Sequence, residues 1–582
     1  MRRGILLELF RPFAKKLAGP AWQQSNMGIL KKIVRTIVPD PQMRLHQFDE
    51  QWYLTRYPDI ALAVKDGRIP SGRHHYLWHG FDEGRLGSPS MAYAAADSGE
   101  IPDHWPGLPA VSVGRQATAM ARFLLASLRQ RLARVPRHWI DELMITRSGA
   151  IFLMGWIEDA DALESVALEG ASEQLTFGRD QLIRTSHLGI EFRLGSPPGQ
   201  QRNGFLIFSA SGGPTTRAQA RTVLMRSVDE ALATARVRAQ LVTDVALRNM
   251  MLAFHANRRT RENTRHAAIR ELDAGFGREL IALNRRVLRD NRNVTISRFN
   301  PERGPINKSF VTCLYGSPEF LPLQLALFSD CPGFESIEFI YINNSPELGQ
   351  HLEREAKQAA RLYGVPLTLI HSATNLGFAA ANNLAAGRAR ADRLVFVNPD
   401  VLPKDLDWLS KHDEFAQTNA GKFFGARLYY DDGSAMHAGM YFDSDRLVEA
   451  GAASELLRVE HYAKGFPDWV ELVNRTRVVP AVTGAFMSIE RSHFEKIGGF
   501  DEDYIFGHYE DADLCLKSAA AGQPVWYCAE VQLWHMEGKG SPRHAMHDGA
   551  ANVNRWLFTR KWSAAVQAER ERARHAEVQS SR

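Results

Sequence analysis

The second half of this 582-residue chain is predicted to fold as a doubly wound α/β domain. After Pro305, β-type apolar runs alternate with helical runs, which is the pattern of strands joined by crossover helices. The β-type runs are SFVTCLYG, IEFIYINNS, PLTLIHS and RLVFVNPDV, and the helical runs are LPLQLALFSD, LGQHLEREAKQAARLYG and AAANNLAAGRAR. Ligands of such sheets bind beyond the carboxyl ends of the strands, so polar residues at those ends are candidates for function.

Length and composition predict several ordinary folded domains. A chain of 582 residues exceeds the size at which one hydrophobic core stops growing. With 45% hydrophobic and 24% charged residues it matches average soluble proteins, which excludes collagenous, disordered and disulfide-rich classes. The formal net charge of +5 is small and the basic residues are spread out, so no nucleic-acid partner is expected.

Cysteine usage and hydropathy indicate the compartment. The second half contains all four cysteines, without a CxxC pair or a Cys/His cluster at zinc spacing: Cys313, Cys331, Cys515 and Cys528. This usage favours a reducing compartment. Because no apolar run reaches about 18 residues and no cleavable export signal stands at the start, we expect a cytoplasmic protein without a membrane span.

Residues 1–45 contain two basic amphipathic stripes. Residues 5–17 and 29–38 each place apolar side chains on one helical face, with basic residues beside the second stripe. Such helices can lie in a membrane interface, which would make the protein peripheral at the inner face of the cell membrane. The alternative is that both stripes dock on the protein's own surface, as surface helices commonly do.

The segments between these stripes and the α/β domain differ in composition. Short helical runs broken by Pro and Gly, then a Gly- and Pro-rich stretch, then short β-type runs, then an Ala-, Leu- and Arg-rich stretch follow one another. They are predicted as a small helical module (46–98), a linker and helix (99–135), a β-sandwich-like accessory domain (136–226) and a helical connector (227–300). Residues 546–582 are predicted as a C-terminal helical tail.

Polar motifs stand where the predicted strands stop. In the first part of the domain they are Asn343-Asn344-Ser345, Asn375-Leu376-Gly377-Phe378, Asn382-Asn383 and Asn398-Pro399-Asp400. In the second part they are Asp432-Gly433-Ser434, His437-Ala438-Gly439, Thr483-Gly484-Ala485-Phe486, Gly498-Gly499-Phe500-Asp501-Glu502, Glu510-Asp511-Ala512-Asp513-Leu514 and His535. In this order and spacing they resemble the nucleotide-binding and acceptor-binding halves of family 2 glycosyltransferases, most closely the rhamnosyltransferase-like branch. The helical module contains Trp52-Tyr53, Tyr57-Pro58-Asp59, His75-Tyr76, His79-Gly80 and Glu83-Gly84-Arg85. With these residues it resembles a short unit that accompanies bacterial glycosyltransferases and other surface-polysaccharide proteins.

The resemblance implies a GT-A nucleotide-diphospho-sugar transferase domain over residues 301–545. Its donor would be a nucleotide-diphosphate sugar, and its acceptor a glycan or a lipid-linked saccharide. Nucleotide-sugar binding is implied for Asn343, Asn344, Ser345, Asn375, Gly377, Asn382, Asn398 and Asp400. Acceptor binding is implied for Glu510, Asp513, Thr483 and Gly484.

A divalent metal is expected because the leaving diphosphate develops charge that a hard cation on a carboxylate neutralises. The expected ligands of Mn²⁺ or Mg²⁺ are Asp400 and His535, the latter following the β-type run VWYCAEVQLW. Family members carry acids where Asn398 and Asn343 stand here. These departures leave open a two-carboxylate metal site and the base of the nucleotide.

Inversion at the sugar needs a general base on the face opposite the leaving group. The resemblance assigns this role to Asp511, with Glu510 and Asp513 shaping acceptor binding. From the residues alone, the three acids could instead complement the positive end of a helix that begins near Tyr509. A carboxylate at such a position can do both.

Three functions therefore compete. The first is an inverting glycosyltransferase, and the second is a catalytically inactive GT-A protein that serves as a glycan-binding or scaffold subunit. Fold alone does not decide between them. A nucleotidyltransferase is disfavoured because the first strand lacks a Gly-rich phosphate loop with a partner Lys.

Overall fold

The computed structural model describes residues 53–54, 136–158, 160–170, 174–185, 203–210, 220–227, 231–259, 265–301, 304–449, 452–536 and 545–580. The predicted N-terminal helices, nearly all of the helical module and the linker lie outside these ranges.

The chain forms two compact units. One comprises Met1–Trp139, Ile157–Asp159 and Ser186–Asn203, and the other comprises Ile140–Trp156, Ala160–Thr185 and Gly204–Arg582. In the first unit, Arg137 forms an ion pair with Glu158.

The β-type runs of the predicted accessory domain are strands in two sheets. The strands are β1 (His138–Thr146), β2 (Ile151–Ile157), β3 (Ser165–Glu169), β4 (Gln174–Gly178), β5 (Ile183–Thr185), β6 (Gly204–Ser209), β7 (Ala220–Arg226), β8 (Ala231–Arg238) and β9 (Gln240–Val242). One sheet has the order β5-β6-β2-β1-β9 and the other the order β4-β3-β7-β8.

The predicted helical connector begins with strands, which corrects the expectation for residues 231–242. The edge strand β8 pairs antiparallel with β7. Its Ala-rich composition favoured a helix, but small and polar residues alternate along it, with Ala233 buried and Thr234 exposed. Tertiary pairing overrides a weak local preference here. Helices α1 (Asp244–Arg259), α2 (Arg265–Glu271) and α3 (Gly277–Asp290) follow, with a π-helical turn at Leu272–Phe276.

The remaining chain alternates strands and helices as predicted. In chain order the elements are β10 (Thr295–Phe299), β11 (Lys308–Leu314), α4 (Phe320–Ser329), β12 (Ile337–Asn343), α5 (Gly349–Tyr363), β13 (Leu367–His371), α6 (Gly377–Ala386), β14 (Arg393–Val397), β15 (Val401–Pro403), α7 (Trp408–Ala416), β16 (Phe423–Tyr429), β17 (Ala435–His437), β18 (Met440–Glu449), β19 (Ala452–His461), α8 (Glu471–Asn474), β20 (Arg477–Val479), β21 (Phe486–Glu490), α9 (Arg491–Lys496), α10 (Glu510–Ala520), β22 (Val525–His535) and α11 (Ala545–Ser580).

An eleven-stranded mixed sheet organises this region. Its main path is β10-β13-β12-β11-β14-β21-β16-β22-β15, with β17 beside β16 and β20 beside β22. The strands β13, β12, β11 and β14 are parallel, and β11 has β12 on one side and β14 on the other. The strand order therefore reverses at β11, and the crevice beyond its carboxyl end is where such sheets bind ligands.

Alternate side chains of the sheet enter two apolar cores, one on each face. Phe310 and Phe339 belong to one core, whereas the neighbouring Val311 and Ile340 belong to the other. This is the period of two that a strand imposes. Helices α4, α5 and α7 cover the first face, and α6 and α10 contribute to the second core. None of the helices within the described ranges has the length and apolarity to cross a membrane.

Candidate active site

The motif Asn343-Asn344-Ser345 lies buried at the carboxyl end of β12. Asn343 Oδ1 accepts a hydrogen bond from Ser345 N at 2.8 Å. Asn344 Nδ2 donates to Gly377 O at 3.0 Å, and its Oδ1 accepts from Leu376 N at 3.2 Å. All these bonds stay within the protein, so the motif ties the end of β12 to the turn that begins α6.

The turn that begins α6 requires glycine and packs against Phe506, in the segment before α10. Gly377 has φ +80°, and a Cβ there would lie 2.9 Å from Phe506 Cα. Asn375 Oδ1 accepts from Gly377 N at 2.8 Å, and Phe378 N donates to Phe506 O. Because only glycine tolerates this conformation without strain, the turn can hold the two halves in contact.

The two asparagines of α6 have separate roles. Asn382 is buried and its Nδ2 donates to Phe378 O at 2.9 Å, within the same helix. Asn383 Oδ1 accepts from Phe500 N at 2.9 Å, and its Nδ2 donates to Phe500 O at 2.8 Å. Asn383 therefore fastens α6 to the Gly499-Phe500 segment that leads to α10.

The expected metal ligands are brought together by strand pairing. Val401 of β15 stands opposite His535 of β22, which places Asp400 beside that imidazole. His535 Nε2 lies 3.4 Å from Asp400 Oδ1, and the two residues are only 6% and 4% exposed. A carboxylate beside an imidazole fits two ligands of a divalent cation. Within the described ranges, no three His, Cys, Asp or Glu side chains form a group that could hold an ion.

Asn398 links the metal-ligand candidates to the acceptor side of the site. Its backbone N donates to Ala485 O at 2.9 Å, and its backbone O accepts from Gln324 Nε2 at 3.0 Å. The next residue along that strand end, Gly484, donates its N–H to Asp511. The turn after β14, which contains Asn398 and Asp400, therefore borders the segment that binds Asp511.

A pair of imidazoles lies beside His535. His437 is fully buried, and its Nδ1 lies 3.0 Å from His461 Nδ1. Burial lowers the pKa of His437 well below its ordinary value, and His461 and His535 lower it further. His437 is therefore neutral at physiological pH. The sequence did not single out His461, because a lone His in a hairpin strand carries no motif.

A strained loop precedes the helix that carries Asp511. Phe506, His508 and Tyr509 have φ values of +60°, +82° and +75°. Such conformations cost non-glycine residues about 1–3 kcal/mol each and cluster at functional sites. The loop ends at the first turn of α10, where Asp511 Oδ2 accepts from Gly484 N at 3.0 Å and Oδ1 accepts from Ala512 N at 2.8 Å.

The surroundings of Asp511 suit a proton acceptor. Burial raises the pKa of Asp511, although the N–H donors of Gly484 and Ala512 and the nearby His508 oppose that shift. A higher pKa makes a carboxylate a stronger base. Gly484 is held tightly, because a Cβ there would lie 3.2 Å from the Phe378 ring and 3.4 Å from Asp511 Cβ.

Thr483 and Asp513 point into the protein. Thr483 Oγ1 accepts from Ala485 N at 3.3 Å. Asp513 is 0% exposed, and its Oδ1 accepts from Trp562 Nε1 at 2.7 Å and from Lys561 Nζ at 2.6 Å. The acceptor contact expected of Asp513 stays a prediction, and its burial and these two contacts also give it a place in the packing of α10. Through Trp562 and Lys561, Asp513 joins α10 to α11.

Glu510 is a buried acid next to the candidate base. It is 5% exposed, and its Oε2 has no hydrogen-bond partner in the part of the chain that the structure describes. Burial raises the pKa of Glu510 well above its ordinary value, and the charge of Asp511 raises it further. An ionised Glu510 therefore destabilises the folded state at neutral pH.

Glu510→Gln should raise the melting temperature at pH 8 by about 1 °C per kcal/mol gained if the whole chain unfolds together, and by about 2–4 °C if the α/β half unfolds by itself. The folded state binds the Glu510 proton more tightly than the unfolded state. Its contribution is thus complete below the unfolded pKa of about 4.3 and is lost as pH rises through the raised folded pKa. The gain from Gln should therefore shrink towards pH 4 in thermal unfolding measured across pH.

Glu530→Gln is the control with the opposite sign. Glu530 Oε2 accepts from Thr476 Oγ1 at 2.5 Å, and the pKa of Glu530 is lowered because hydrogen bonds to the ionised carboxylate outweigh the effect of burial. Its stabilisation is present above the unfolded pKa, so Gln should lower the melting temperature at pH 8. A lower melting temperature for Glu510→Gln at pH 8 would contradict the destabilising role of Glu510.

Parts of this chain are similar in sequence to three curated proteins. An uncharacterised protein of Sinorhizobium fredii is 32% identical over 196 residues, covering 33% of this chain and 21% of that protein. The O-antigen biosynthesis protein RfbC of Myxococcus xanthus is 29% identical over 269 residues (44% and 19%). The rhamnosyltransferase WbbL of Escherichia coli is 26% identical over 170 residues (27% and 60%). The chain is a relative of rhamnosyltransferase-type glycosyltransferases.

These relatives confirm the resemblance that the motifs indicated. The chain spans between about a fifth and three fifths of the length of the curated relatives it matches. No family model matches it.

Two solved structures are also similar to parts of this chain. One is the mannosyltransferase PcManGT from Pyrobaculum calidifontis in complex with GDP-Man and Mn²⁺, at 13% identity and a TM-score of 0.30, covering 53% of this chain and 86% of that chain. The other is TarS of S. aureus, at 11% identity and a TM-score of 0.29, covering 44% and 73%. Similarity at this level does not establish a shared fold.

Proposed function

We propose that this relative of rhamnosyltransferase-type enzymes is an inverting glycosyltransferase. It moves a sugar from a nucleotide-diphosphate sugar to a hydroxyl of a cell-surface glycan or a lipid-linked saccharide. The named relatives support sugar transfer in surface-polysaccharide synthesis. The motif order and the parallel strands around β11 support a GT-A fold for residues 301–545.

The observation that carries the proposal is the placement of Asp511. Its carboxylate is bound by Gly484 N, and the adjoining Ala485 accepts from the strand end that leads to Asp400. A base with a raised pKa thus stands at the same edge of the sheet as the candidate metal ligands. That edge is where the acceptor and the donor phosphates must meet.

The proposed reaction is a single displacement at the anomeric carbon of the donor sugar. Asp511 accepts the proton of the acceptor hydroxyl as its oxygen forms the new bond to the anomeric carbon. The bond between that carbon and the phosphate oxygen breaks on the opposite face, and the nucleoside diphosphate departs with the electron pair. A divalent cation held by Asp400 and His535 would neutralise the charge on the diphosphate.

The substrates would be bound on two sides of this site. We propose that the nucleotide sugar is bound by Asn343, Asn344, Ser345, Asn375, Gly377, Asn382 and Asn398. We propose that the acceptor is bound by Glu510, Thr483 and Gly484.

Retention of Asp400, Asp511 and His535 together supports the enzyme over the inactive alternative. A decayed site has no reason to preserve a carboxylate next to a strained loop together with a neighbouring carboxylate–imidazole pair.

The test is a panel of nucleotide-diphosphate sugars that differ in base and sugar, each incubated with the purified protein and Mn²⁺. We expect one member to raise the melting temperature and to be hydrolysed slowly in the absence of acceptor, with release of nucleoside diphosphate. Protection without hydrolysis or transfer would favour the inactive alternative. No response to any member would overturn the proposal.

Membrane attachment is a further part of the proposal, and it concerns residues outside the described ranges. Deletion of residues 1–40 should release the protein from anionic vesicles, because apolar burial and lipid charge act together in basic amphipathic helices. Co-sedimentation with phosphatidylserine-containing vesicles measures this. As a control, replacing Lys31, Lys32 and Arg35 with Gln should weaken binding to anionic vesicles only. Equal sedimentation of the deleted and complete proteins would assign these helices to the protein's own surface.

A further inference from the structure

A single buried side chain holds the loop that precedes the candidate base. Asn554 of α11 is 0% exposed. Its Oδ1 accepts from Ile505 N at 2.9 Å. Its Nδ2 lies within donating distance of Ile505 O (2.9 Å), Gly507 O (2.7 Å) and His508 O (3.2 Å). All four contacts reach the loop 505–509, which we call the catalytic loop.

The catalytic loop needs such a partner. Its backbone lies in no strand or helix, and three of its residues have positive φ. Strained conformations persist only where the surroundings over-determine them. Buried backbone groups must also find hydrogen-bond partners. An amide side chain that both accepts and donates meets these needs at once.

Side chains of the same helix also bind the first turn of α10. Lys561 and Trp562 follow Asn554 by seven and eight residues, so all three lie on one face of α11. Lys561 and Trp562 bind Asp513 Oδ1 at 2.6 and 2.7 Å. Asp511 therefore lies between two points that α11 holds.

The opposite side of α11 is backed by the helices that precede the sheet. A Cβ on Gly549 would lie 1.9 Å from Leu252 O of α1, so the two helices touch along their backbones. Trp556 Nε1 donates to Asp273 Oδ1 at 2.9 Å. From α1, the buried guanidinium of Arg248 stacks 4.6 Å from the Phe506 ring. The catalytic loop is thus held from α11 and α1 together.

We propose that the face of α11 formed by Asn554, Lys561 and Trp562 holds Asp511 in place, and that Asn554 is a positioning residue for it. Asn554 acts through the catalytic loop and does not contact the reacting atoms. The activity readout of this inference rests on the proposed function. Hydrogen exchange of the loop amides gives a readout that does not.

The test compares Asn554→Asp with Thr559→Val. The Asp variant keeps the shape and the acceptor but loses every donated bond. Thr559 is a buried residue on the same helix, and its Oγ1 accepts from Leu457 N at 3.0 Å in a different element. Both variants lose buried hydrogen bonds, but only the first affects the catalytic loop.

Asn554→Asp should lower kcat by about 10- to 100-fold with little change in the KM for the nucleotide sugar, because a displacement of about 1 Å can cost that much. The acid limb of its kcat–pH profile should shift, since the surroundings of Asp511 change. Amides of residues 505–509 should exchange faster. Thr559→Val should keep kcat within about twofold of the original protein and leave loop exchange unchanged.

The inference is overturned if Asn554→Asp matches Thr559→Val in kcat, pH profile and loop exchange. Should Asn554→Asp fail to fold, Lys561→Met replaces it, with a lowered kcat expected and an unchanged kcat contradicting the role of α11. If the unaltered protein turns over no nucleotide sugar, the proposed function fails by itself. Loop exchange then decides the positioning role alone.

Discussion

Asp511→Asn should lower kcat by about 10²- to 10⁴-fold, the usual contribution of a general base. Asparagine keeps the size of the side chain and can still accept from Gly484 N, but it cannot take the acceptor's proton. The affinity for nucleotide sugar should change little, because the proposed donor contacts lie elsewhere, so the loss should appear in kcat. Steady-state kinetics with saturating donor and thermal unfolding would separate catalysis from folding.

The pH dependence provides a second measure of the same role. Burial raises the pKa of Asp511, and the base acts only when deprotonated. Turnover should therefore fall as pH falls through a pKa above the ordinary Asp value of about 3.9. Asp511→Asn should remove that limb from the residual activity.

Asp513→Asn is the comparison. We expect a milder loss of turnover, together with a lower melting temperature because the ion pair with Lys561 is weakened. If Asp511→Asn retained more than about a tenth of the original turnover, the base would have to be sought at Glu510 or Asp513.

Chelation by EDTA should abolish transfer, and added Mn²⁺ or Mg²⁺ should restore it. The leaving diphosphate needs a cation, and Asp400 and His535 provide a carboxylate and an imidazole side by side. Asp400→Asn should lower turnover by more than about 10-fold, because loss of a contact that only supports a metal ligand already costs about 10- to 100-fold. Activity assays over a Mn²⁺ titration, with metal binding by calorimetry, measure both effects.

Asp432→Asn is the matched control for charge. Asp432 is exposed and accepts from Ser434 N at 2.8 Å within its own turn. It should leave both turnover and the Mn²⁺ requirement unchanged. Full turnover in chelator would refute the metal proposal, whereas loss of turnover in Asp400→Asn with unchanged metal affinity would assign Asp400 another role.

The α/β half was predictable because its signals are local. Apolar runs of strand length alternate with longer helical runs, and the cores formed on both faces of the sheet where that pattern implied. The turn at Asn375-Leu376-Gly377 was predictable for the same reason, since Asn and Gly favour turns. The strand β8 was missed because its Ala-rich composition imitates a helix and its pairing with β7 is a tertiary effect.

The direction in which individual side chains point was harder to predict from the sequence. Asp511 and Asp513 stand two residues apart at the start of a helix, so they point to different sides of α10. Only one of the two meets the Gly484 segment, and the motif alone does not say which. The role of Asn554 could not be predicted from the sequence for a related reason. Its hydrogen-bond partners lie 46 to 49 residues earlier in the chain.

That separation has a consequence during synthesis. The ribosome adds about 5 to 20 residues per second, so Ile505 is made roughly 2 to 10 seconds before the amide that binds it, 49 residues later. Every strand of the eleven-stranded sheet is also made before α11. A nascent chain can therefore form the sheet while its catalytic loop still lacks the hydrogen bonds to Asn554. If Asn554 positions Asp511 as proposed, docking of α11 completes the geometry around that carboxylate.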